Sequence, residues 1–137
     1  MTKAQTFVNG NISSNTTWTV ANSPYVVNGG LTVDNNITLT IEPGVIVKFS
    51  DNQQMTVYGA LVAEGTQNDT IYFTSYNDDS IGGDTNGDGN ATTPSPGDWR
   101  RIYFSDADAG TSIEYCRFKY AGRLTSRYPL LDFYNSN

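Results

Sequence analysis

The run Asp84-Thr85-Asn86-Gly87-Asp88-Gly89-Asn90-Ala91-Thr92 carries the sharpest chemical pattern in this chain. Side-chain oxygens recur at alternate positions, on Asp84, Asn86 and Asp88, and Gly89 stands sixth. A calcium ion collects oxygens from alternate residues of one tight loop, and a glycine at the sixth place permits the bend. Asn90 would then offer its backbone carbonyl. The twelfth residue is Ser95, where a bidentate Glu would close a full shell, so the missing carboxylate must come from elsewhere. Asp98 is the first choice, because it precedes Trp99, and Asp78 or Asp79 upstream are the others. The expected set is Asp84, Asn86, Asp88, Asn90 and Asp98, holding a structural calcium. The alternative is a solvated loop of Gly, Asn and Asp.

A second group is aromatic. In Ile71-Tyr72-Phe73 and Ile102-Tyr103-Phe104 the outer pair faces a core and the tyrosine faces out. Tyr72 and Tyr103, with Arg101 nearby, could stack on sugar rings and hydrogen-bond their hydroxyls; ordinary packing between neighbouring strands is the plainer explanation. Nucleophilic catalysis has little to work with. The chain has no histidine, so neither a serine nor Cys116 has its usual base. Asp106 and Asp108 fall in a turn-like Asp-Ala-Asp-Ala-Gly segment rather than on facing strands. Arg100 and Arg101 follow the loop directly, but arginine is a poor base because it stays protonated.

The elements that must position these groups are short strands. From Tyr25 to Phe73, apolar residues alternate with polar ones in pieces separated by Gly, Asn, Asp or Pro. The inward set is Leu31, Val33, Leu39, Ile41, Val45, Val47, Met55, Val57, Leu61, Ile71 and Phe73. The segment Val27-Asn28-Gly29-Gly30-Leu31-Thr32-Val33 returns as Val57-Tyr58-Gly59-Ala60-Leu61-Val62-Ala63. Recurrence of a strand, a glycine corner and a second strand points to stacked coils around one continuous core; an antiparallel sandwich with short hairpins is the alternative. The expectation is therefore an all-β solenoid, residues 1–137 forming one domain. Residues 1–24 read as a polar, irregular N-terminal cap that lays Phe7, Val8 and Trp18 on the first coil. Residues 75–98 read as a long inserted loop, with Trp99 anchoring it back on the coils. The chain stops at Asn135-Ser136-Asn137 without an evident cap, as a piece of a longer protein would. An open last coil would let a second copy cover Leu130, Leu131 and Phe133.

Composition narrows the partners. Charged residues are only 16% and the net charge is −6, which opposes binding to phosphate backbones. Six of the eight basic residues lie between Arg100 and Arg127, a distribution that suits a solvated strand surface. No apolar run follows Met1-Thr2-Lys3-Ala4 as a signal peptide requires, and none is long enough to insert in a membrane. Abundant Asn, Thr, Ser and Gly suit a secreted or cell-surface β protein. Asn-X-Ser/Thr triplets at Asn11, Asn15, Asn36, Asn68 and Asn90 are compatible with that.

Three stretches carry a family resemblance. Leu39-Thr40-Ile41-Glu42-Pro43-Gly44-Val45 with Phe49, Gly97-Asp98-Trp99 before Ile102-Tyr103-Phe104, and Ile113-Glu114-Tyr115-Cys116 closing in Tyr120-Ala121-Gly122 resemble right-handed parallel β-helix proteins. These are pectate-lyase-like chains of bacterial and archaeal secreted or surface type. The resemblance spans roughly residues 18–137, and Asp84–Thr92 is similar to the calcium loops of EF-hands and dockerins. What the resemblance implies is a right-handed parallel β-helix serving as a non-catalytic structural or adhesive segment that contacts polysaccharide. The alternative it implies is part of a calcium-dependent polysaccharide lyase.

Overall fold

The computed structural model describes residues 4–122 and 131–134. Among them the chain is all-β, with one short 3-10 turn at Val20–Asn22. The strands are β1 (Thr6–Ile12), β2 (Thr16–Trp18), β3 (Tyr25–Val33), β4 (Thr38–Ile41), β5 (Ile46–Phe49) and β6 (Met55–Val57). They continue as β7 (Ala60–Glu64), β8 (Ile71–Ser75), β9 (Ile102–Ser105), β10 (Ser112–Glu114), β11 (Cys116–Phe118) and β12 (Leu131–Tyr134). No helix among the described residues is long and apolar enough to cross a membrane.

Every strand pairing among the described residues is parallel, and the pairings form three ladders. The first stacks the start of β1, the start of β3, β5, β8 and β11. The second stacks the ends of β1 and β3, then β6, β9 and β12. The third stacks β2, β4, β7 and β10. The chain visits the ladders in turn and then returns to the first. Because β1 and β3 each run through the corner between the first two ladders, those two form one curled eight-stranded sheet.

Registered pairing turns period-two alternation into columns. Tyr25, Val47, Phe73 and Phe118 stack through the first ladder, Leu31, Met55 and Ile102 through the second, and Trp18, Ile41 and Ala63 through the third. All of the expected inward residues from Leu31 to Phe73 belong to one buried cluster, joined by Trp99, Ile102 and Phe104. Aromatic rings reinforce the columns: Trp18 stacks on Tyr25, Phe49 on Trp99 and Phe73 on Phe118, with centroids 4.1–4.8 Å apart. Offset stacks of this kind add to the burial of the rings themselves. Cys116 is half-buried, its thiol donates to the Ala63 carbonyl, and burial pushes it up to about 11. It is a packing residue rather than a nucleophile.

Most of residues 6–18, expected to be irregular, forms paired strands, β1 and β2. Val8 and Trp18 pack on the core as expected, but Phe7 is 52% exposed. The reason is alternation: Val8 and Trp18 share the inward register of Val27 and Ile41, and Phe7 falls between. Asp108 staples a corner, taking a hydrogen bond from the Asn36 backbone N–H at 2.7 Å. Arg123, Arg127, Leu130 and the side chain of Phe133 lie outside the described residues, and with them the expected self-association.

Corners bring backbones very close. A β-carbon on Gly59 would stand 2.0 Å from the Ile37 carbonyl oxygen and 2.4 Å from that of Asp34. No rotamer relieves a backbone clash, so Gly59→Ala should cost about 2–4 kcal/mol. Urea unfolding followed by far-ultraviolet circular dichroism checks this; an unchanged midpoint would contradict the packing described.

Candidate metal centre

The segment between β8 and β9 folds back as a strap over the outer face of the first ladder. Val26, Lys48 and Thr74 are register neighbours there, and each is fully buried although none belongs to the core cluster. The strap runs along this row. Lys48 Nζ donates to the carbonyls of Asp78 at 2.7 Å and Gly83 at 2.8 Å. Thr74 Oγ1 donates to Asp78 Oδ2 at 2.7 Å, and the Lys119 ammonium lies 3.6 Å from the same oxygen. Further along, Gln5 Nε2 and the Tyr76 hydroxyl both donate to the Thr85 carbonyl. The strap's far end is fastened by Trp99, whose indole N–H donates to the Lys119 carbonyl and whose ring is buried, as the sequence leads one to expect.

Within the strap, Asp79, Asp84 and Asp88 converge, each offering a carboxylate oxygen within 4.8 Å of the others. Two oxygens bound to one calcium at 2.3–2.6 Å are at most about 5 Å apart, so the spacing suits a shared ion. The Asp84 carboxylate is oriented by the backbone N–H groups of Gly87 at 2.8 Å and Gly89 at 2.9 Å. Both glycines have positive φ, 71° and 64°, which lets the chain wrap around one carboxylate as the alternating pattern requires. Among the described residues, four buried side-chain oxygens lack a hydrogen-bond partner: those of Asp79, Asp88, Thr85 and Gln5. All four belong to the strap or touch it. Buried acceptors are normally satisfied, so orphaned oxygens on two of the three clustered carboxylates match what a hard cation needs. With three carboxylates as the clustered donors, the chemistry favours calcium, magnesium or manganese over zinc or copper.

Two adjacent aspartates have opposite electrostatics. Burial pushes Asp78 up, but hydrogen bonds from Ser80 and Thr74 and the Lys119 charge outweigh it and hold its carboxyl below the usual value. Asp79 is held above it, by desolvation and by the negative charges of Asp84 and Asp88, against the opposing charge of Lys48. Asp78 is thus a fully bonded structural anion, and Asp79 is the anion in need of a cation.

The structure brings together Asp84 and Asp88 of the five residues expected from sequence. Asn86 lies beside them, its amide nitrogen 3.1 Å from Asp88 Oδ2 and its oxygen accepting from the Asp88 N–H. Asn90 is exposed on the following turn. Asp98 is engaged elsewhere: its Oδ2 accepts from Ser75 Oγ at 2.6 Å and from the Ser95 N–H. Asp79 takes the place proposed for it. Tyr72 and Tyr103 are on the first and second ladders, with β5, β3 and β6 between their strands. The face of the Tyr103 ring is covered by Arg101, whose guanidinium carbon is 4.3 Å from its centroid. The alternation that turns Lys48 outward does not foretell its burial, and sequence reasoning missed Gln5 and the part played by Thr85: these roles come from the strap's path. Comparison of the chain with family models, curated proteins and solved structures returns no match.

Two outcomes follow for Asp79. Its folded-state value is raised, so in EDTA its contribution favours the fold at low pH and is lost as pH rises through that raised value. Asp79→Asn should therefore raise the melting temperature at neutral pH in EDTA, yet remove most of the stabilisation that calcium gives the wild type. Calcium affinity of the wild type should fall as pH drops through the same range, because proton and cation compete for one carboxylate. Thermal melts with and without calcium decide both. Lys48→Met would leave the buried Asp78 carbonyl unsatisfied, at about 1–3 kcal/mol, and release the tie to the more exposed Gly83 carbonyl. Hydrogen exchange should show faster exchange across the strap while the ladders stay protected.

Proposed function

We propose that this chain is a segment of a right-handed parallel β-helix with a structural and adhesive role in a secreted or cell-surface protein. A calcium ion clamps its strap to the stack, and polysaccharide is its partner. The observation that carries the reading is the buried outer row, Val26, Lys48 and Thr74, under a strap with its own oxygen cluster. A loop this long is expensive to order, and a cation that binds only the folded strap offsets the cost by mass action. Asp79, Asp84 and Asp88 would hold the ion, with Asn86 and Thr85 adjacent. Three parallel ladders visited in turn around one core support the β-helix reading.

The lyase alternative needs a base beside a calcium-bound uronate. Arg101, the nearest sequence candidate, precedes β9 on the second ladder and stacks on Tyr103, whereas the carboxylates are in the strap on the first. Incubation with polygalacturonate, alginate and other acidic glycans in calcium should therefore give no gain in near-ultraviolet absorbance from unsaturated product. The protein should instead be retained on insoluble polysaccharide in a pull-down. A rise in absorbance would establish the lyase, and no retention on any glycan would leave a plain structural segment.

A further inference from the structure

Next to the buried row lies a second outward row that the strap leaves open. Ile46, Tyr72 and Arg117 are register neighbours across β5, β8 and β11. They floor a groove of about 560 Å³, with Ser80, Ile81 and Gly82 of the strap on one side and the turn at Gln67–Thr70 on the other. That volume is in the range of small-molecule sites. A second hollow of about 380 Å³ shares Gln67, Thr70 and Arg117 with the first and continues to Tyr115. Together they make a trough that crosses the strands along the stack. Tyr115 is 60% exposed at its end, held at a φ of 47°, a backbone region that bulky residues rarely adopt.

The lining chemistry is specific. Two tyrosines offer ring faces for stacking, and Gln67, Asn68, Thr70 and Ser80 offer amides and hydroxyls. Arg117 and Asp69 contribute one charge of each sign. A balanced lining rewards a ligand without net charge, because an anion gains from Arg117 about what it loses to Asp69. An elongated polar trough with ring platforms fits a chain of pyranose rings.

The strap wall leans on the floor row. A β-carbon on Gly82 would stand 3.2 Å from Ile46 Cδ1 and 3.5 Å from Lys48 Cε, so the strap backbone rests directly on the floor row. The residue before Ser80 is Asp79, one of the three clustered carboxylates. Without a cation, that cluster holds three mutually repelling anions next to the wall.

We propose that this trough binds a neutral oligosaccharide, and that the cation at Asp79, Asp84 and Asp88 governs binding by fixing the Ser80–Gly82 wall. The second clause rests on the cation reading above. The ion stands behind the wall and does not touch the sugar, so it changes affinity through the wall's position.

Calorimetric titration of the full chain with cellohexaose, mannohexaose and xylohexaose, in calcium and after EDTA, tests this. At least one neutral hexasaccharide should bind in calcium and lose tenfold or more in affinity in EDTA. Tyr72→Ala should abolish binding, Asp84→Ala with Asp88→Ala should reproduce the EDTA result, and Tyr103→Ala, on the second ladder, should change nothing. Circular dichroism confirms that each variant is folded. Calcium binding is titrated separately without sugar. Calcium binding with no hexasaccharide binding overturns the trough proposal and leaves the cation reading intact. Hexasaccharide binding that ignores EDTA overturns the control by the wall. Binding that survives Tyr72→Ala, or tighter binding of oligogalacturonate than of any neutral chain, overturns the site or its ligand class.

Discussion

An ammonium group cut off from water must be hydrogen-bonded, and that requirement on Lys48 organises the outer half of this molecule. The parallel ladder fixes Lys48 between Val26 and Thr74, facing away from the core. Two strap carbonyls supply what solvent otherwise would. With Asp78 and Gly83 tied to that nitrogen, the intervening residues are anchored at their two ends. Asp79 is turned toward Asp84 and Asp88, and Ser80–Gly82 are laid along Ile46. The carboxylate cluster and the groove thus draw on one short stretch of backbone, anchored by the same buried ammonium.

Much of the interior is legible in the sequence, because inward apolar residues recur at every second position of most strands and the parallel register converts them directly into columns. The internal repeat is legible for a different reason than it suggests. Val27–Val33 turns from the first ladder to the second, whereas Val57–Ala63 turns from the second to the third. Leu31 accordingly stacks on Met55, and Leu61 stacks on Leu39. What recurs is the local chemistry of a corner, a glycine between two apolar strands, and not equivalent places along the chain; close backbone approach forces the glycine at Gly59, whereas a β-carbon on Gly30 would meet nothing.

The carboxylate cluster was half legible. Asp84 and Asp88 are set by short-range geometry, alternate residues around positive-φ glycines, and such geometry can be read from spacing. The third carboxylate depends on where a distant part of the loop folds back. On paper Asp98 ranks ahead of Asp79 because it precedes Trp99; in the fold Asp98 is engaged by Ser75 and Ser95, and Asp79 is the residue that joins Asp84 and Asp88. The tyrosines show the same limit. Ile71-Tyr72-Phe73 and Ile102-Tyr103-Phe104 are locally identical in pattern, but the corner between their ladders sends the two rings to different faces. An outward position also does not announce whether it will be wet: Lys48 and Tyr72 both alternate with core residues, and one is buried while the other floors an open groove.

The strap enters and leaves the stack at a corner between two ladders, and Ile102 still pairs with Met55 after it. Lengthening a corner therefore leaves every register intact, and the entropy of closing a longer loop grows only with the logarithm of its length. A fold of this kind separates two problems that most domains must solve together. The coil interior is answerable only to packing, while the corners are open to insertion, each added segment arriving over a regular grid of outward rows about 4.8 Å apart. New surface can be written onto such a scaffold one corner at a time, and the existing columns need not be renegotiated.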